Sequence, residues 1–184
     1  MADSASSPRR LILRLSIFGV VVFAVIVSVM FFSSRVNTPP TYTGGKVVGK
    51  LVPDVTVTTM AGEKISLRSL IGKRVIVNFF NSWCMPCQEE MPALQEFARK
   101  HQDDPSFVFI GIVRVDSEKA IRAWAKSNNE PFVIAFDKDE AASIAFGTTG
   151  QPETYAINAN GRVVASVRAR VSTQSLDEIW DATE

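Results

Sequence analysis

The feature that most constrains this chain is a strand-like run that ends against its only two cysteines. Val75-Ile76-Val77-Asn78-Phe79-Phe80 is almost unbroken in apolar character and is bounded by Gly72-Lys73 and Ser82. Such a run predicts a strand buried on both faces of a sheet. Trp83-Cys84-Met85-Pro86-Cys87 follows at once, and helical spacing begins there. Met91, Leu94, Phe97 and Ala98 share one face of a predicted helix over Met85 to His101. Phe107-Val108-Phe109-Ile110-Gly111-Ile112-Val113 is a second buried-type run, so the three pieces read as a βαβ unit.

The rest of the chain continues the alternation. Val55 to Thr58 and Lys64 to Leu67 flank Ala61-Gly62 and predict a hairpin. Ser117 is a predicted N-cap for a helix through Ile121, Trp124 and Ala125 to Lys126. Pro131 to Phe136 reads as a strand and Glu140 to Phe146 as a short helix. Tyr155-Ala156-Ile157 and Val163-Val164-Ala165 are joined through Asn158-Ala159-Asn160-Gly161, a hairpin signal. Leu176, Ile179 and Trp180 form the stripe of a last helix. The order is a hairpin, then βαβαβαββα. It predicts an α/β sandwich whose sheet is closed by an antiparallel pair. With 46% apolar and 21% charged residues among 184, the chain suits one ordinary domain plus an appendage.

The appendage is Leu15 to Phe32, LSIFGVVVFAVIVSVMFF, 18 residues without a charge. That approaches the roughly 20 residues a helix needs to cross a bilayer. Arg9, Arg10 and Arg14 precede it and Arg35 follows. The excess on the N-terminal side predicts a cytoplasmic N-terminus and everything after about residue 33 outside. A cleaved signal peptide is the alternative, but its apolar region is usually about 7–15 residues and ends small-x-small. This run is longer and ends Met30-Phe31-Phe32. The expected division is a cytoplasmic N-terminus at 1–14, a transmembrane anchor at 15–32, a Pro/Gly-punctuated linker at 33–49 and an extracytoplasmic domain at 50–184. The protein is thus expected to cross the cytoplasmic membrane once. Beyond Arg35 there remain 18 acidic and 16 basic residues with no basic block. That argues against a nucleic-acid partner or a basic membrane-binding face.

Cys84 and Cys87 stand where the predicted helix begins. Unpaired N–H groups and the helix dipole favour negative charge there, and the thiolate is the nucleophile. Cys84, at the exposed turn, is the candidate attacking cysteine. Cys87, one turn into the helix, is the candidate resolving cysteine. Pro86 suits a first turn. A structural disulfide is the bland alternative, although a ring over three residues constrains the unfolded chain little. Half a zinc site is another, but two ligands would be missing and His101 is the single histidine; no metal is expected. Pro92, inside the helical pattern, predicts a kink. Gln151-Pro152, before a strand, is compatible with a cis peptide.

At these residues the domain resembles the thioredoxin fold, and more narrowly the TlpA/ResA/CcmG group of exported, membrane-tethered thiol–disulfide oxidoreductases. The likeness covers roughly residues 47–184. It rests on Trp83-Cys84-x-Pro86-Cys87 with Pro92, and on Gly150-Gln151-Pro152-Glu153-Thr154-Tyr155, which is similar to the group's G-x-P-E-T-[FY] phrase. The resemblance implies a thioredoxin-like α/β fold: a mixed central sheet flanked by helices, an N-terminal hairpin and a central αβ insertion at 117–136. It implies that Cys84 and Cys87 are catalytic and that backbone at Gln151 and the cis-proline Pro152 binds substrate. It also implies redox tuning by Glu90, Trp83 and Pro86. Glu90, three residues after Cys87, would accept the Cys87 proton. Asn78 stands where cytoplasmic thioredoxins hold a buried acid and where this group has Asn. Glu153 is expected to shape the rim.

The implied function is reduction of disulfides in exported proteins, with the haem-attachment cysteines of apocytochrome c as a substrate class. A membrane thiol carrier would supply electrons, and the reversible Cys84–Cys87 disulfide would suffice without a cofactor. Three alternatives stay open: a disulfide-forming oxidant using the same residues, a thiol peroxidase with Ser82 two residues before Cys84, and a Cu(I)-binding module with both thiolates and Met85 as soft ligands.

Overall fold

The computed structural model describes residues 19–28 and 46–184. Residues 19–28 are helical. Of the expected anchor at 15–32 the described residues include 19–28, and of the linker at 33–49 they include 46–49; the rest of both lies outside the described residues. Among the described residues, no helix is long and apolar enough to cross a membrane.

Residues 46–184 carry one seven-stranded sheet. Its strands are β1 (Thr56–Thr59), β2 (Lys64–Ser66), β3 (Arg74–Phe80), β4 (Phe107–Val113), β5 (Val133–Phe136), β6 (Glu153–Ile157) and β7 (Val163–Val167). The helices are α1 (Met85–His101), α2 (Glu118–Asn128), α3 (Ala141–Phe146) and α4 (Thr173–Asp181). Across the sheet the strand order is β2-β1-β5-β4-β3-β6-β7. β3, β4 and β5 are parallel, while β6, β7, β1 and β2 pair antiparallel at the two ends. The predicted element order is the observed one, and the sheet is mixed.

Strand β3 shows why its sequence is apolar on both faces. Ile76 and Phe80 join a core with Met91, Leu94 and Phe97 of α1, Ile121 of α2 and Leu176 of α4. Val75, Val77 and Phe79 join a second core with Ala142 and Phe146 of α3 and with Val47, Val57 and Leu67. Successive side chains point to opposite faces, so each core takes alternate residues. Asn78 falls on the α1 face, where a polar residue is fully buried.

Boundaries move for local reasons. Leu67 leaves the hairpin for a 3-10 turn at Leu67–Leu70. Strand β5 begins at Val133 rather than Pro131, since proline has no N–H for the ladder. Helix α3 begins after Glu140, which is left-handed at φ 55°, and its first N–H groups are met by the buried Asp137. Ser117 caps α2 through the Ala120 N–H, as read from the sequence. Pro92 lies inside α1, which runs unbroken for 17 residues. Val47, within the stretch assigned to the linker, is buried, and Gly49 and Lys50 exchange backbone hydrogen bonds with Val163.

Candidate active site

The site forms where β3 ends and α1 begins. Cys84 is the N-cap residue of α1, and its Sγ accepts the Cys87 N–H at 3.2 Å. Cys84 and Cys87 are joined in a disulfide, S–S 2.10 Å, with Cα atoms 5.2 Å apart. Pro86 lies in the first turn, where a missing N–H costs no ladder bond. The loop ahead of the cysteines is stitched to the loop after β4. Ser82 N and Oγ both donate to Asp116 Oδ2 at 2.7 Å. The Trp83 indole N–H donates to Val115 O, and Val115 N to Asn81 Oδ1. Gln88, one turn into α1, donates back to Ser82 O.

One expectation about exposure is corrected. Cys84 is only 5% exposed and Cys87 1%. What reaches solvent is the pair of neighbours, Trp83 at 61% and Met85 at 64%. With half-exposed Val115 they leave apolar side chains around a recessed disulfide. The N-cap role explains the recess, because it turns Sγ inward over the first N–H groups of the helix.

The Gln151–Pro152 peptide is cis. It brings the Gln151 carbonyl to 3.8 Å from Cys84 Sγ. A disulfide sulfur has no proton to give, so this is a contact; a Cys84 thiol would donate to that oxygen. Glu153 lies beneath this loop rather than on a rim, being 2% exposed. Its carboxylate accepts from Thr149 N, Thr149 Oγ1 and Gly150 N, and from the Tyr155 hydroxyl at 2.6 Å. Arg168 Nε is 3.9 Å away. A buried carboxylate needs such donors, and here they fold the loop that carries the cis-proline.

Glu90 is 1% exposed, one turn along α1 from Cys87. Its Oε1 accepts from Asn78 Nδ2 at 2.9 Å and its Oε2 from Val171 N at 2.9 Å. Asn78 Nδ2 also donates to Thr154 Oγ1 at 3.0 Å. Burial pushes the Glu90 carboxyl up to about 7, against the lowering effects of the Val171 N–H, Asn78 and the Arg170 charge. A carboxyl in that range holds or releases a proton near neutrality.

The structure thus gathers Cys84, Cys87, Pro86, Gln151 and Pro152 at one end of the sheet, with Trp83 outside and Glu90 beneath. His101 stands apart, ringed by Phe97, Phe107 and Trp180. Sequence reasoning missed Asn81, Asp116 and Val171, and it gave no role to Thr154, which it held only as part of the Gly150–Tyr155 phrase. Asp116 carries the one available signal, an acid directly before the Ser117 N-cap at the end of a buried strand. The others act through backbone or tertiary neighbours and leave no local pattern.

Residues 48–166 match the model of the AhpC/TSA family. Among curated proteins, the thioredoxin-like protein YneN of Bacillus subtilis is 31% identical over 134 residues, covering 70% of this chain and 78% of that one. The thiol-disulfide oxidoreductase ResA of Bacillus thuringiensis subsp. konkukian is 28% identical over 134 residues, covering 71% and 75%. Among solved structures, MTB dsbF aligns with a TM-score of 0.66 at 28% identity, over 72% of this chain and 99% of that one. A secreted Mycobacterium tuberculosis disulfide oxidoreductase, described as homologous to E. coli DsbE, aligns at 0.63 and 26% identity, over 70% and 96%. The chain belongs to the AhpC/TSA family, and within it to the thioredoxin-like thiol–disulfide oxidoreductases.

Proposed function

We propose that this protein reduces disulfides of exported proteins outside the cytoplasmic membrane, held there by residues 15–32, with apocytochrome c among its substrates. The observation that carries the exchange chemistry is the Cys84–Cys87 disulfide closed over a helix N-terminus beside the Gln151 carbonyl of the cis Gln151–Pro152 peptide. In the reduced protein, the Cys84 thiolate attacks one sulfur of a partner disulfide. A mixed disulfide forms and the first partner thiolate leaves. The Cys87 thiol passes its proton toward Glu90 and attacks Cys84 Sγ. The second partner thiolate leaves and the intramolecular disulfide closes. Two electrons have moved to the partner; the Cys87 proton, passed on from Glu90, and one proton from water, matching the one Cys84 released on becoming a thiolate, complete its two new thiols. A membrane thiol carrier then restores the dithiol by the reverse exchange, so the cycle uses no cofactor.

The substrate segment docks on Trp83, Met85 and Val115 and pairs with the backbone at Gln151-Pro152. The reducing direction is the one the resemblance implies, and partner trapping separates it from the oxidising one. A peroxidase reading asks Ser82 to serve Cys84, whereas its hydroxyl donates to Asp116.

Cys84→Ser is expected to abolish disulfide reduction, and Cys87→Ser to accumulate a mixed disulfide. Trapping partners in cells with Cys87→Ser tests the substrate. Recovery of a c-type cytochrome or its assembly factors supports the reading. Broad capture of newly exported proteins would instead mark an oxidant.

A further inference from the structure

The carboxamide of Asn78 is unevenly used. Its Nδ2 donates twice, to Glu90 Oε1 and to Thr154 Oγ1. Its Oδ1 is buried and has no partner. A buried acceptor left unmade is costly, and this one belongs to a side chain that touches the carboxyl assigned to the Cys87 proton. The present arrangement suits only one protonation state. A Glu90 carboxylate accepts from Nδ2. A protonated Glu90 must donate, and Nδ2 has no lone pair to receive it. Val171 N already donates to Oε2, so the proton falls on Oε1, the oxygen facing Asn78.

A half-turn of the carboxamide resolves the conflict. The last torsion of Asn is broad and roughly two-fold, so the turned state has a similar shape. Oδ1 then stands where Nδ2 stood and accepts from Glu90 Oε1–H. Thr154 follows, because a hydroxyl can donate as readily as it accepts. Two hydrogen bonds exist in each state with their directions reversed, and the unpartnered end of the carboxamide changes from Oδ1 to the NH2 group, so the turned state is held only while Glu90 carries its proton.

We infer that Asn78 is a positioning residue for the exchange reaction: a carboxamide that turns when Glu90 gains its proton and so gives the buried carboxyl a matched partner in both states. The inference rests on the reading that Glu90 receives the Cys87 proton. In the disulfide form, where Cys87 has no proton to move, every other group facing Glu90 keeps its polarity. Its own helix presents Cys87 and Glu89. The segment between β7 and α4 presents the Val171 N–H and Arg170, which is ion-paired with Glu89. Strands β3 and β6 present the neutral Asn78 and Thr154, the one pair able to reverse.

The test is a pH titration by NMR of the full-length disulfide form in detergent, with labelled glutamate carboxyl carbons and asparagine side-chain nitrogens. Between about pH 4.5 and 9, the Asn78 Nδ2 protons are expected to shift toward free-amide values as pH falls, with the midpoint of the Glu90 carbon. A flat Asn78 signal across a moving Glu90 overturns the inference and leaves the Glu90 reading standing. A Glu90 carbon that does not titrate in that range overturns both. Glu90→Gln supplies a second arm. Its amide oxygen must accept from Val171 N, so its NH2 faces Asn78 and locks the turned state. The Asn78 signal is expected at its low-pH wild-type position at every pH; retention of the high-pH position overturns the inference. If that lock is seen but Glu90→Gln leaves the pH profile of disulfide reduction unchanged, the turn stands and the proton-acceptor reading falls.

Discussion

Glu90 concentrates the residue-scale physics of this protein. An ordinary glutamate ionises near 4.5, whereas burial holds Glu90 at about 7. Between those two values the folded state keeps a proton that the unfolded state has lost. Stability from this residue is therefore fully present below about pH 4.5 and declines as pH rises through 7. The loss is on the order of 3 kcal/mol, since each pH unit of separation is worth about 1.4 kcal/mol. Glu90→Gln is expected to flatten that decline, which urea denaturation at pH 5 and pH 8 measures. A slope as steep as that of the wild type would remove Glu90 as its source. Glu130, also raised to about 7 by burial, contributes in the same sense. It is only half-buried, so its share is smaller, and the comparison of variant with wild type isolates Glu90. Trp83 is the opposite case: a large ring mostly in water, anchored by one indole hydrogen bond. Trp83→Ala is expected to slow exchange with a folded partner severalfold while leaving the unfolding free energy within about 0.5 kcal/mol of wild type.

At the scale of elements, the site depends on how closely β4 lies against β3 and its helices. Gly111 of β4 stands beside Asn78 in register. A Cβ there would come within 2.9 Å of the rings of both Phe80 and Phe132. Gly111→Ala is expected to cost about 1–3 kcal/mol by overpacking, seen as a lower midpoint in chemical denaturation. Restoration by a smaller residue at Phe132 would confirm the clash as the cause. The loop after β4 matters for a different reason. Asp116 accepts both Ser82 bonds and so ties the cysteine loop to the neighbouring strand. Asp116→Ala leaves the Ser82 N–H without its acceptor, and the expected cost is about 1–3 kcal/mol with slower disulfide exchange. Unchanged exchange kinetics would show that the cysteine turn holds its shape without that tie.

For the whole molecule, the proposed anchor predicts two separable behaviours. The full chain is expected to stay with membranes through alkaline carbonate washing, and a fragment of residues 46–184 to be released and to keep disulfide reduction. A full chain that washes off would remove the anchor. Much of the architecture was legible in advance for physical reasons. A strand buried on both faces must be apolar throughout, so β3 and β4 announced themselves. Helix α1 and its cysteines followed from spacing and from proline in a first turn. The N-cap of α2 and the turn before β7 are local hydrogen-bonding problems with few solutions. Boundaries slipped where neighbours decide, as at Leu67 and Glu140. What the amino-acid order alone determined was the succession of elements and the placement of two sulfurs at a helix start, because both depend on short-range periodicity and backbone chemistry. Only the tertiary structure decided that Cys84 is recessed, that Glu153 lies under the cis-proline loop, and that Asn78, Glu90, Thr154 and Val171 share one buried network. Those outcomes turn on which distant groups exclude water from one another, and solvent exclusion is a property of the packed chain rather than of any segment of it.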